Sequence, residues 1–204
     1  VNDIRISENI ILHMNDNVKI YLPDDKLFSE KKIEIIYEDD NICIVNKPAG
    51  IEVLGENSLT SILQKQYSFI EPCHRLDRNT TGLILFAKNE LSLSILLEKF
   101  KNHEIEKHYL AKVYGIPKIS KQTLISYLFK DNKKSIVYIS YTPKKGYVKI
   151  VTSYVIVEKN SQENTCVLDV NLHTGKTHQI RAHLAHIGLP IVGDGKYGNN
   201  QINK

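Results

Sequence analysis

The 204-residue chain is 42% hydrophobic and 25% charged with a formal net charge of +4, an ordinary globular balance that argues against a disordered or fibrous chain. No apolar run approaches the ~18 residues needed to cross a bilayer, and no cationic start with an apolar stretch opens the chain, so a cytoplasmic protein with no membrane partner is expected. Cys43, Cys73 and Cys166 are odd in number and widely spaced, and they read as reduced, mostly buried thiols rather than a disulfide framework or a zinc site.

The charge is unevenly placed. Residues 1–58 hold six Lys/Arg against twelve Asp/Glu, whereas residues 99–149 hold twelve lysines against three acids. A lysine-rich segment without acidic neighbours is a contact surface for phosphates or simply a solvating face, and composition alone leaves both open.

The length suits one core, or one catalytic domain with a small appendage. Residues 1–29 hold short apolar pieces (10–12 and 18–22) among Asn and Asp, too small for a core of their own, and read as the tail of an appended module or an extra edge strand. Residues 33–36 and 42–45 are short β-branched strands ending in the turn Asn46-Lys47-Pro48-Ala49-Gly50. Residues 58–67 form a short helix with Ser58 as its cap. Residues 82–87 are a buried strand. Residues 90–101 are a helix with Leu91, Ile95, Leu96 and Phe100 on one face. Strands follow at 105–114, 147–157 and 165–172, then a helix at 177–187 stopped by Gly188 and Pro190. The mixture predicts an α+β fold whose sheet is largely antiparallel.

The densest chemistry is His74-Arg75-Leu76-Asp77-Arg78-Asn79-Thr80-Thr81-Gly82, an imidazole, two guanidiniums and a carboxylate in a loop before a buried strand, where function tends to sit. The same residues would also serve as a salt-bridged turn in which Asp77 caps Asn79 or Thr80. A second cluster runs from His173 to His183, with Arg181 near the positive end of its helix. That is an unfavourable place for a cation unless an anion lies close by. His173, His178, His183 and His186 raise the question of a metal, but no carboxylate or cysteine stands in ligand spacing with them, and no metal is expected. Tyr109 shares a strand face with Ala111 and Val113, so its ring starts from the core and its hydroxyl can emerge at the edge.

In this order the segments resemble the RluA-type pseudouridine synthases. Residues 37–50 look like the family's opening strand and N-K-P-A-G turn, and residues 74–82 like its H-R-L-D-x-x-T-S-G signature. Residues 107–115 look like K-x-Y-x-A-x-V-x-G, residues 174–183 like T-G-R-T-H-Q-I-R-x-H, and residues 188–198 like G-x-P-I-x-G-D-x-x-Y-G. Thr81 stands for the usual serine, Lys176 for arginine and Leu189 for a frequent histidine. A lysine keeps the charge at 176 but cannot form a two-pronged fork.

The resemblance implies a sheet flanked by helices with a central active-site cleft, spanning residues 30–204, preceded at 1–29 by the end of an RNA-binding domain or an edge extension. It implies an enzyme that needs no cofactor, isomerising uridine in ribosomal RNA, with the large subunit favoured, or in transfer RNA; a monomer is the default expectation. Asp77 would be the catalytic carboxylate, Arg181 its positive partner and Tyr109 the ring lying against the base. Arg75, His74, Thr80, Lys107, Lys176 and Gln179 would contact RNA, with Arg75 filling the space that the flipped base vacates. The rival readings are a non-enzymatic RNA-binding module and a His-dependent metal hydrolase, and five ordered motifs weigh against both.

Overall fold

Asp39 sets the first hairpin. Between β1 (Glu34–Glu38) and β2 (Ile42–Lys47) its carboxylate accepts the backbone N–H groups of Asn41 at 2.7 Å and Ile42 at 2.8 Å, closing the turn locally, and Lys88 Nζ adds a bond to the Asp39 carbonyl at 2.6 Å. The computed structural model describes residues 10–18 and 33–198, and the chain divides into two compact units, 1–96 and 97–204.

In the first unit, β2 and β4 (Gly82–Ala87) are the inner strands of an antiparallel sheet ordered β1-β2-β4-β3, where β3 is Glu71–Pro72. The register Cys43↔Phe86 and Val45↔Ile84 sets four wholly buried side chains in two opposed pairs. Val45, Ile84 and Phe86 each contribute roughly 1.5–3 kcal/mol of apolar burial. Between β2 and β3, α1 (Leu59–Leu63) is capped as expected: the Ser58 hydroxyl accepts the Ser61 N–H at 3.2 Å. It ends at Leu63 rather than near residue 67, and the chain continues in turns.

The helix expected at 90–101 is α2 (Glu90–Lys101), yet none of its residues is buried, and Leu91 and Ile95 face solvent at 72% and 47% exposure. The half-covered stripe is Leu93, Leu96 and Phe100, rotated from the face inferred from spacing.

The second unit builds an antiparallel sheet ordered β5-β9-β8-β6-β7, from β5 (His108–Tyr114), β6 (Lys121–Asp131), β7 (Ile136–Ser140), β8 (Val148–Asn160) and β9 (Thr165–Leu172). Helix α3 (Gln179–His186) packs Leu184 among Ala111, Val113, Leu124, Tyr154, Leu168 and Val170. Beside it Ala182 joins Leu128, Val137 and Ile150. The class is α+β as expected, with two antiparallel sheets where one was anticipated. Strands β6 and β7 occupy the middle of the lysine-rich segment, between the strands expected at 105–114 and 147–157, where the sequence pattern suggests none.

Residues 10–18 form a turn, closed by the His13 N–H on the Asp16 carboxylate at 2.7 Å, with no strand among them. The rest of residues 1–29, and the domain boundary expected near residue 30, lie outside the described residues. All three cysteines are free and buried, and burial pushes the Cys73 thiol up to about 11. No helix among the described residues is long and apolar enough to cross a membrane.

A buried polar seam ties α3 to the sheet. His183, wholly buried, meets the Thr152 hydroxyl through Nδ1 and the Ser126 hydroxyl through Nε2, both at 3.1 Å. Burial and the neighbouring His186 push its pKa from 6.5 down to about 4. Between those values the unfolded chain takes up a proton that the folded chain refuses, so stability is full above about pH 6.5 and drains as pH falls toward 4. The loss is on the order of 3 kcal/mol. Urea unfolding of the protein and of His183→Gln at pH 7 and pH 4.5 should show a steeper acid loss for the unsubstituted protein, and parallel curves would refute this assignment.

Candidate active site

Asp77 lies in the first unit, in the loop that leads from edge strand β3 into inner strand β4. One ammonium anchors that loop. Lys47, at the end of β2, is wholly buried, and its Nζ donates to the carbonyls of Pro48 at 2.9 Å, Ile51 at 2.8 Å and Arg78 at 3.0 Å. An ammonium has three N–H donors, and all three are used. Burial lowers the Lys47 pKa to about 8, against the carboxylates of Asp77 and Glu52, which favour its charged form.

Arg78 completes the clasp. Its carbonyl also accepts the Gly50 N–H at 2.9 Å, while its Nε donates to the Gly50 carbonyl at 2.9 Å. Gly50 has φ +89°, a left-handed conformation that a side chain at this turn would strain. The turn bearing Asp77 is closed by backbone, Thr80 N–H to the Asp77 carbonyl at 3.0 Å. On its strand side the loop is tied by His74, whose Nε2 accepts the Leu85 N–H at 3.1 Å. The carboxylate is thus presented half-buried on a loop clasped from both ends.

In the second unit the anion that Arg181 calls for is Asp194. Arg181 donates from Nε at 2.7 Å and from Nη2 at 3.0 Å to the two carboxylate oxygens, a two-pronged pair. The Asp194 side chain is only 3% exposed. Burial alone would raise its pKa, but Arg181 and the N–H groups of Lys196 and Tyr197 hold it below the ordinary carboxylate value. The guanidinium also lies 5.3 Å from the centre of the Tyr197 ring, within cation–π range. The Tyr197 hydroxyl accepts the Val137 N–H at 2.9 Å and meets His178 Nδ1 at 2.8 Å. His178 itself enters α3 with φ 53° and ψ 20°, left-handed backbone that is unusual outside glycine and clusters at functional sites.

The remaining expected residues divide by unit and by what they touch. Arg75 is exposed and Thr80 half-buried, both in the first unit. In the second, Tyr109 is half-buried, sits opposite Val170 and packs against the apolar cluster, so its ring does start from the core. Lys107 has its Nζ 5.7 Å from the Phe100 ring centre, and Lys176 is exposed.

Gln179 is only 2% exposed. Its amide donates to the Val151 carbonyl and the Thr152 hydroxyl, and its oxygen accepts from the Thr174 hydroxyl and the Lys176 N–H. In this structure it braces the loop before α3. The ring nitrogens of His183 are taken by hydroxyls, His173 Nε2 meets Ser153 at 2.7 Å, and no group of three or more metal-capable side chains occurs among the described residues.

Lys47, Arg78, Asp194 and Tyr197 are the anchoring side chains that the sequence alone does not single out. The sequence signal was their place in the N-K-P-A-G turn, the loop signature and the closing G-D-x-x-Y-G. Two substitutions test the anchors. Lys47→Met leaves the Pro48 and Ile51 carbonyls without a donor and takes one of two from the Arg78 carbonyl, and should cost about 3 kcal/mol. Asp194→Asn strips Arg181 of its buried counter-charge and should cost a similar ~3 kcal/mol. Both are read as urea midpoints at pH 7, and an unshifted midpoint would mean that the corresponding contact carries no stability.

A model of the RNA pseudouridylate synthase family matches residues 41–186, a span that includes the Asp77 loop and α3. Ribosomal large subunit pseudouridine synthase C of Rickettsia bellii is 33% identical over 96% of this chain and 69% of that protein. The protein of the same name from Vibrio parahaemolyticus is 33% identical over 100% of this chain and 69% of its own length. Among solved structures, human RNA pseudouridylate synthase domain containing 1 matches in fold with a TM-score of 0.73 at 24% identity, over 84% of this chain and 71% of that one. Family model, relatives and fold agree: the chain belongs to the RNA pseudouridylate synthases, as a member of the RluA type, and is an isomerase that acts on uridine in RNA.

Proposed function

We propose that this enzyme converts uridine to pseudouridine in structured RNA with the Asp77 carboxylate as its catalytic group, and that Tyr109 and Arg181 complete the catalytic set. The reaction breaks the bond from ribose to the uracil nitrogen, turns the base and joins the ribose to uracil carbon five. The nitrogen gains a proton and the carbon loses one, so no electrons are exchanged. The chemistry calls for an ionised carboxylate that attacks the sugar or assists departure of the base, shielded from water. The observation that carries the reading is the clasped loop: Lys47, Gly50 and His74 constrain the backbone on either side of Asp77, and such fixed placement is what a nucleophile needs.

A uridine stacked in RNA hides its glycosidic bond, so the base is proposed to swing out at a cost of a few kcal/mol. Stacking on an aromatic ring, here Tyr109, returns roughly 1–3 kcal/mol. Arg75 takes the vacated space, and Thr80, Lys107 and Lys176 hold the RNA, Lys176 through its charge. His74 and Gln179, whose side chains are engaged with the protein itself, act by bracing the loop that carries Asp77 and the loop that leads into α3, the helix of Arg181.

Relatives named for the ribosomal large subunit favour large-subunit ribosomal RNA over transfer RNA as substrate. Residues 30–204 are assigned to a catalytic domain that works as a monomer, and residues 1–29 to the end of an RNA-binding domain or an edge extension.

Asp77→Asn should abolish pseudouridine formation, by at least a thousandfold, while RNA affinity stays within about twofold. Mapping pseudouridines in total RNA from cells with and without the gene should show one or more missing sites in large-subunit ribosomal RNA. Retained turnover in Asp77→Asn would overturn the assignment of the nucleophile, and missing sites confined to transfer RNA would overturn that of the substrate.

A further inference from the structure

Strand alternation in the second unit sorts the lysine-rich segment onto two faces. On β6 and β7, Leu128 and Val137 turn inward to the apolar cluster with Ile150 and Ala182, so the residues between them turn outward. The outward pair Phe129↔Tyr138 is opposed directly across the two strands, and both rings are open to solvent, at 37% and 41% exposure. The outward face of an antiparallel sheet is normally polar. Here it is aromatic. Tyr147, from the loop that follows β7, stacks on Phe129 with ring centres 5.4 Å apart and planes inclined by 27°. Lys144 Nζ lies 5.8 Å from the Tyr147 ring centre.

Around these rings the charge is of one sign. Residues 127–149 contain six lysines, Lys130, Lys133, Lys134, Lys144, Lys145 and Lys149, against the single acid Asp131. All six lysines are exposed. The Asp131 carboxylate accepts the backbone N–H groups of Lys133 and Lys134, holding the β6–β7 turn that displays them. Lysine is depleted at protein–protein interfaces, whereas exposed aromatic rings bordered by unneutralised lysines are how single-stranded nucleic acid is held.

We propose that this outer face of β6, β7 and the 141–147 loop is a second RNA-binding surface, which stacks unpaired bases of the substrate RNA, outside the target uridine, on Tyr138 and the Phe129–Tyr147 pair while Lys144, Lys145 and Lys149 hold the adjoining phosphates. The occupant is RNA because the family acts on RNA and the charge is complementary to it. It is single-stranded RNA because base faces are hidden inside a duplex. The assignment rests on the RNA-directed activity of the family and is independent of the role given to Asp77.

The test uses the full chain and two fluorescent probes that need no turnover, a ten-nucleotide oligouridylate and an RNA duplex of the same length. Tyr138→Ala should weaken oligouridylate binding about tenfold, the scale of one lost base stack. Tyr138→Phe should restore it, and duplex affinity should change by less than twofold. The pair Lys144→Gln and Lys145→Gln should lower the slope of log affinity against log salt on the oligouridylate by roughly 0.7 for each lysine. Thermal unfolding of each variant should match the unsubstituted protein, since Tyr138, Lys144 and Lys145 are exposed. Asp77→Asn should bind both probes normally, so a failure of the nucleophile assignment would leave these results unchanged. An unaltered oligouridylate affinity in folded Tyr138→Ala, an equal loss on the duplex, or capture by anionic lipid vesicles that these variants abolish while RNA binding persists would each overturn the proposal.

Discussion

A lysine buried to zero exposure, with its three N–H donors on three carbonyls, decides the course of the loop that carries Asp77. Burying a charge is costly unless it is fully hydrogen-bonded, and here the ligands are backbone oxygens from both the turn after β2 and the loop before β4. The contact therefore works in two directions. The carbonyls make the buried ammonium tolerable, and the ammonium holds together two stretches of chain that apolar packing would leave free to move. Arg78 repeats the link from the other side, through Gly50.

The second unit uses the same device with the signs exchanged. Asp194 is the buried charge, and its oxygens are saturated by the Arg181 guanidinium and two backbone N–H groups. Arg181 is further constrained by the Tyr197 ring, and Tyr197 by the edge of β7. Beneath it, Gln179 and His183 fasten α3 to β8 and β6 through Thr152 and Ser126. Polar contacts of this kind have narrow geometric tolerance, so a helix held by them has less freedom to slide than one held by Leu184 and Ala182 alone.

The outer face of β6 and β7 follows another logic. Its aromatic rings gain little from the fold, since the inward residues of the same strands already supply the apolar contact. Their exposure is explained by what they meet rather than by what they stabilise. For an enzyme that acts on RNA, affinity gathered away from the reacting base makes binding tighter without obstructing the motion of that base.

Much of this was legible in the residues themselves. The β-branched runs at 42–45 and 165–172, the apolar run at 82–87, the Ser58 cap, the helix at 90–101 and the loop signature around Asp77 are local patterns, and neighbours along the chain are enough to specify them. Strands β6 and β7 were not, because their inward positions include Ser126, a polar residue that breaks the alternation and makes sense only with His183 placed against it. The face of α2 was misjudged for a similar reason: spacing marks an apolar stripe, but packing decides which stripe is covered. Lys47 looks like a solvated turn residue until three carbonyls converge on it, and Arg181 advertises a missing anion without naming Asp194, thirteen residues away. Local order depends on the covalent neighbourhood, which the sequence states outright, whereas the burial and pairing of a charge depend on which distant backbone groups the fold brings within about 3 Å, and only the tertiary structure decides that.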